Sequence, residues 1–278
     1  MKKDQMIPGR RRVLRIAACF GAAAVTARVI SAGQAETPGH PAAPPPAAGP
    51  QAAPKLKPSA YRLRPMTAEN PPGYLAPAPP VRKEPFLELT GLGRSVVLTF
   101  DDGPDPTWTP EILTVLREHD VHAMFFVCGE MASYFPDVLR RAADEGHIIG
   151  NHTWTHPELP TLTPAKIKSE MERTSELIEK TTGTAPSWFR APYGAWNKQT
   201  FELGAALGME PLAWTVDTLD WTRPGTDKIV RTVLGGAKPG VVVLSHDGGG
   251  KRDQSVAALR RYLPELVDAG YSAVLPHP

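Results

Sequence analysis

The chain has 278 residues, 41% of them hydrophobic and 22% charged, which supplies apolar mass for one sizeable core or at most two small ones. Its formal net charge is +2 and the early basic residues gather in the first fifteen positions, which excludes a nucleic-acid partner held by a broad basic face. Residues 1–35 open on lysines and arginines, continue through an alanine-rich apolar run from Ile16, and end on the small residues Gly33 and Ala35, the pattern of a cleaved signal peptide.

Within that segment Arg10-Arg11-Arg12-Val13-Leu14-Arg15 follows the twin-arginine export pattern: two arginines, any residue, two apolar residues and a basic one. A retained anchor is the alternative, but Arg28 interrupts the run, which is marginal for the ~20 apolar residues a membrane span needs. Ile16-Ala17-Ala18-Cys19 has the form of a lipoprotein cleavage box, yet it stands at the front of the apolar run instead of its end. Export with cleavage is therefore expected, with no span in the mature chain. Cys128 would then be the sole cysteine, unable to form an internal disulfide and suited to a small core position. Residues 36–85 hold 15 of the chain's 31 prolines with only Tyr61 and Tyr74 as aromatics, which predicts a semi-extended linker. The folded domain is expected over 86–278.

From Phe86 onward short apolar runs alternate with amphipathic segments. Val96–Phe100 reads as a buried strand, Thr109-Pro110 as the cap and first position of a helix, and Ala123–Val127 as a second strand. A helix over about 136–145, a strand at His147–Asn151 and a helix opened by Thr163-Pro164 follow. Further strands are expected at Trp188–Arg190, Glu210–Val216, Val241–Ser245 and Tyr271–Leu275, with helices near 198–207, 227–234 and 256–269. Strands alternating with helices over about 190 residues predict a parallel α/β sheet, open or closed. The polar clusters Asp101-Asp102, His152 with His156, Arg190, Asp217 with Asp220, and His246 all fall just past strand ends, which favours a (β/α) barrel that brings those ends to one mouth.

Two clusters carry chemistry. Asp101 and Asp102 end an apolar strand, and two adjacent carboxylates converge only where a strand stops, a break that Gly103-Pro104 is expected to supply. His152 and His156 stand four residues apart, with Pro157 disfavouring helix at His156, so they share a one-turn loop. With one aspartate of the pair they make a His, His, Asp set, and three protein ligands with open positions describe a catalytic metal site. Gly248-Gly249-Gly250 lacks the lysine and hydroxyl residue of a phosphate-cradling loop and reads as a flexible rim.

Thr99-Phe100-Asp101-Asp102-Gly103-Pro104, His152-Thr153-Trp154-Thr155-His156, Arg190-Ala191-Pro192-Tyr193, Asp217-Thr218-Leu219-Asp220-Trp221 and Leu244-Ser245-His246 resemble, in order, the five motifs of the NodB-homology polysaccharide deacetylases, metal-dependent carbohydrate esterases. The resemblance covers roughly Phe86 to Pro278. It implies a distorted (β/α) barrel, commonly seven-stranded, that hydrolyses acetyl groups from an acetylated polysaccharide: peptidoglycan, chitin or an O-acetylated xylan. Carried onto these positions, it makes Asp102, His152 and His156 the metal ligands and Asp101 the base, oriented by Arg190. His246 becomes the acid with Asp220 as its partner, the Tyr193 N–H an oxyanion donor, and Pro192, Trp221 and Leu244 the substrate pocket, while Asp217 is left as a loop cap. Zn2+ best suits two imidazoles and a carboxylate, with Co2+, Ni2+ or Mn2+ as alternatives. Two other classes compete: a non-catalytic carbohydrate-binding protein on the same fold, which would need neither base nor acid, and an amidohydrolase of a small non-sugar amide.

Overall fold

A computed structural model describes residues 78–276. The expected signal segment and most of the expected proline-rich linker lie outside these residues. The strands are β1 (Ser95–Asp101), β2 (Met124–Val127), β3 (Ile148–Asn151), β4 (Trp188–Phe189), β5 (Glu210–Pro211), β6 (Val216–Asp217), β7 (Val242–His246) and β8 (Ser272–Ala273). The α-helices are α1 (Trp108–Glu118), α2 (Gly129–Tyr134), α3 (Pro136–Asp144), α4 (Pro164–Thr182), α5 (Lys198–Ala206), α6 (Thr226–Gly236) and α7 (Asp253–Asp268).

Seven strands form one parallel sheet in the order β5-β4-β3-β2-β1-β7-β6, and β8 pairs with the start of β1. This curled half-barrel is the distorted (β/α) barrel the motif order implied. Both faces of β1 are buried, as a parallel strand requires. Its outward residues Val96, Leu98 and Phe100 pack in the large core with Ile112, Leu116 and Leu259 of the surrounding helices. The inward Val97 joins Met124, Phe126, Trp188, Leu212 and Val242 in a smaller core inside the curl. Alternation puts Thr99 and Asp101 on the same inward face, so the interior passes from apolar to polar towards the C-terminal ends of the strands.

Three local expectations need correction. The single strand expected over Glu210–Val216 is two, β5 and β6, separated by residues 212–215. The carbonyls of Leu212 and Ala213 accept the side chain of Arg190 instead of a neighbouring strand. Helix α1 starts one residue before the expected Thr109 cap. Asp105 Oδ1 accepts the N–H groups of Thr107 and Trp108, which frees the Thr109 hydroxyl for another bond. Helix α2, six residues with no apolar period to announce it, was not foreseen. By contrast Thr163 caps α4 as expected, accepting from Lys166 N.

Ordered chain also precedes Phe86. Residues 86–89 strap the edge of β5 to the start of β7, with Phe86 N donating to Pro211 O, Ala213 N to Phe86 O, and Leu89 N to Gly240 O. Just ahead of the strap, Arg82 lies 4.0 Å over the Phe86 ring and grips Glu210 with two bonds, at 2.5 and 2.9 Å. Glu210 is 7% exposed. A chain beginning at Phe86 leaves that carboxylate buried without its cation. It should fold cooperatively but fall about 1–3 kcal/mol below a chain beginning at Ala78; matched denaturant melts of the two would check this, and coincident curves would show that the pair contributes nothing.

Candidate active site at the strand ends

Asp101 reaches the mouth as the last inward residue of β1. Asp102 should point to the opposite face, but its backbone is left-handed, with φ 75°, and this reversal returns its carboxylate to the same side. The break therefore lies at Asp102 itself, ahead of Gly103-Pro104. His152 Nε2 stands 3.6 Å from both Asp101 Oδ2 and Asp102 Oδ1, and His156 Nε2 stands 3.3 Å from Asp102 Oδ1.

The histidine loop leaves β3 through Asn151. The Asn151 side chain accepts Thr153 N and donates to Met171 O and to Ser175 Oγ, tying the loop to α4. Thr153 and His156 are left-handed, with φ 68° and 59°, and Glu170 of α4 steadies the turn between them by accepting Trp154 N, Thr155 N and the Thr155 hydroxyl. His152 Nδ1 is 2.8 Å from the carbonyl oxygen of Arg190. A carbonyl can only accept, so Nδ1 carries the proton and Nε2 presents a lone pair. Burial, aided by the neighbouring His156, lowers the His152 pKa to about 3 and keeps it neutral.

Asp102, His152 and His156 bring three ligand atoms within 4.8 Å of one another. Asp102 Oδ1 is buried and lacks a hydrogen-bond partner among the described residues, a costly state for a carboxylate oxygen unless a cation meets it. An orphaned oxygen facing two imidazole nitrogens, one of them held unprotonated, fits a small divalent cation.

Arg190 is fully buried just past β4. Its Nη1 donates to Asp101 Oδ1 at 2.6 Å and to Thr99 Oγ1 at 2.9 Å, Nε to Leu212 O, and Nη2 to Ala213 O. The guanidinium lies 4.2 Å over the Phe126 ring. Burial raises the Asp101 pKa, and the charge of Arg190 only partly offsets it, so the carboxylate is a stronger proton acceptor than an exposed aspartate.

On the neighbouring strand, His246 at the end of β7 places Nδ1 2.7 Å from Asp220 Oδ1, while its backbone N–H and Ser255 Oγ donate to Asp220 Oδ2. Burial acts to lower the His246 pKa, but the hydrogen bond and charge of Asp220, with Asp102 and Asp101 beyond, lift it to about 9. Asp217 accepts Leu219 N and so caps its loop. Tyr193 is exposed and left-handed, with its ring 4.6 Å from that of His156; Pro192 beside it is buried. Trp221 is exposed, and Leu244 is buried in β7 on the inward side shared with Val242. The glycine run is less free than a rim: Gly248 is buried against the Asp102 backbone, although Gly249 and Gly250 are exposed. The sequence reading passed over Asp247. Buried beside Gly103, it has a pKa of about 7, raised by burial, moderated by a Thr109 hydrogen bond, and raised further by the charges of Asp102 and Asp101.

A parallel α/β half-barrel with carboxylates, imidazoles and a buried arginine at its strand ends defines a hydrolase-like architecture with a candidate metal centre. Residues 89–212 match the family model described as polysaccharide deacetylase. A chitooligosaccharide deacetylase of Rhizobium leguminosarum bv. trifolii is 40% identical over 203 residues, 69% of this chain and 94% of that protein. The structure of the Bc1960 peptidoglycan N-acetylglucosamine deacetylase aligns with a TM-score of 0.66 at 38% identity, covering 69% of this chain and 89% of that one. A carbohydrate esterase family 4 pseudoenzyme from Bacillus anthracis aligns with a TM-score of 0.64 at 29% identity, over 72% of this chain and 67% of its own. The chain belongs to the polysaccharide deacetylase family of enzymes.

The buried ion pair makes the site testable without substrate. Arg190→Met leaves Asp101 buried and unpaired, and should cost about 3–5 kcal/mol at neutral pH. A folded-state pKa above the unfolded one means that stability is lost as pH rises through the folded value. The deficit should therefore shrink as the pH is lowered into the carboxylate range, and denaturant melts of both proteins at pH 5 and pH 8 would show it.

Proposed function

We propose that this protein is an exported, metal-dependent deacetylase of N-acetylglucosamine polymers, such as chitooligosaccharides or peptidoglycan glycan strands. The observation that carries the reading is the partnerless Asp102 Oδ1 facing His152 and His156, with Asp101 and His246 side by side at the neighbouring strand ends. The names of the relatives favour an N-acetylated sugar over an O-acetylated xylan or a small non-sugar amide. Export rests on the twin-arginine pattern of residues 1–35; among the described residues no helix is long and apolar enough to cross a membrane.

In this reading Asp102, His152 and His156 hold the ion, with zinc favoured by two imidazoles and a carboxylate. A divalent cation there would supply Lewis acidity towards the acetyl carbonyl and an acidified water. Asp101, made basic by burial yet kept in place by Arg190, takes the proton of the attacking water. The Tyr193 N–H donates to the developing oxyanion. His246, charged and held by Asp220, gives its proton to the departing sugar amine, while Trp221, Leu244 and Pro192 enclose the acetyl methyl. A non-catalytic carbohydrate binder is the rival, and the pseudoenzyme relative shows that the fold alone does not decide. An oriented base opposite a charged acid favours turnover, because binding needs neither. Acetate release from chitooligosaccharides, abolished by a chelator and restored by a divalent ion, is the deciding assay. No acetate from any acetylated glycan, with metal bound, would refute the reading.

The two aspartates should separate. Asp102→Ala should lose metal affinity in a metal titration. Asp101→Asn should keep it while turnover falls about 10²- to 10⁴-fold, the usual loss for a general base.

The acid makes a pH prediction. A histidine lifted to about 9 stays charged through neutrality, and the pair's contribution to stability, complete below the ordinary histidine range, is lost as pH rises through about 9. Asp220→Asn should move the alkaline limb of the pH–rate profile down from about 9, since burial is then opposed only by the charges of Asp102 and Asp101. His246→Ala should slow sugar-amide hydrolysis far more than hydrolysis of an activated aryl acetate, whose leaving group departs unprotonated.

A further inference from the structure

Asp247 has no part in the chemistry above, yet it is 1% exposed and both its oxygens are engaged. Oδ1 accepts Gly103 N at 3.1 Å, and Oδ2 accepts the Thr109 hydroxyl at 2.6 Å in the first turn of α1; that hydroxyl in turn accepts Asp105 N. The backbone closes the same junction from the other side, with Asp247 N and Gly248 N donating to Asp101 O at 3.0 and 3.3 Å. Strands β1 and β7 are adjacent and in register, Asp101 opposite His246, so each ends in an Asp-Gly turn beside the other.

The two turns interlock. A Cβ on Gly103 would collide with the Asp247 carboxylate, and one on Gly248 would collide with the Asp102 carbonyl. Each glycine is where it is because the other turn's aspartate lies against it. Between them sits Asp102 at φ 75°, a conformation that a non-glycine residue keeps only when its surroundings impose it. Among the described residues, Asp247 is the one side chain that bonds to the peptide immediately after Asp102 and joins it to both β7 and α1.

We infer that Asp247 is a positioning residue: its carboxylate clamps the Asp102-Gly103 turn to β7 and α1 and so sets where the Asp102 carboxylate points. The inference rests on Asp102 being a metal ligand, as proposed above. It acts through hydrogen-bond geometry, so an oxygen acceptor at this place is what the turn requires, not the negative charge.

The test is Zn2+ affinity of the metal-stripped full chain, titrated against a chromophoric chelator, with melting of the metal-free protein recorded beside it. If the parent chain binds no zinc, the metal reading itself fails before any variant enters. Given parent binding, Asp247→Ala should weaken it about 10- to 100-fold, the usual effect of removing a group that orients a metal ligand. Asp247→Asn keeps an oxygen for Gly103 N–H and should stay within about threefold. Thr109→Val, which unties the far end of the clamp, should weaken binding by a smaller factor and decides the case if Asp247→Ala lacks a cooperative melt. A purely structural role would lower the melting temperature and leave zinc affinity of the folded protein unchanged. That result in Asp247→Ala, or in Thr109→Val if the first does not fold, overturns the inference, as does an Asp247→Asn variant as weak as Asp247→Ala.

Discussion

The contact on which most of the site depends is the buried pair of Arg190 and Asp101. A guanidinium removed from water demands an acceptor for each of its donors, and this one takes them from two distant stretches of chain: Thr99 and Asp101 of β1 and the carbonyls after β5. Its own backbone carbonyl holds the imidazole of His152. One residue thus orients the candidate base through its side chain and a candidate ligand through its main chain. The Phe126 ring beneath it closes the apolar floor on which these polar groups stand.

Electrostatically the mouth is lopsided. Asp101, Asp102 and Asp247 crowd the ends of β1 and β7, and among the described residues Arg190 is the one arginine or lysine paired with them, at Asp101. Burial makes Asp101 and Asp247 hold protons more tightly than usual, with the charges of Asp102 and Asp101 adding to it at Asp247, and His246 on the neighbouring strand keeps its proton through its bond to Asp220. The partnerless oxygen of Asp102, among these carboxylates, marks where a compact dication would sit.

Much of this was legible in the sequence where a residue type and a period coincide. The apolar run into Asp101-Asp102 marked β1, Thr163-Pro164 marked the start of α4, and polar residues past successive strand ends pointed to a common mouth. What stayed hidden was set by long-range contacts. Nothing local shows that the Glu210–Val216 run must break, because the cause is a guanidinium some twenty residues earlier. The Thr109 cap failed for a similar reason: its hydroxyl is claimed by Asp247, 138 residues away. Nothing local sets Asp247 apart, since Asp-Gly is turn chemistry in any context and only burial distinguishes it. Helix α2, lacking an apolar period, is held from outside, its first N–H groups donating to the carbonyls of Thr153 and Trp154.

The seam between β5 and β6 is where the barrel forgoes strand pairing so that two peptide carbonyls can solvate a cation. Those acceptors belong to the main chain, so the grip on Arg190 is indifferent to which side chains stand at 212 and 213, provided they pack. It is not indifferent to length. One residue added or removed between Pro211 and Ala213 would change which carbonyls face the guanidinium while leaving every motif intact, so in this chain spacing across a short loop carries functional information alongside the ionisable residues.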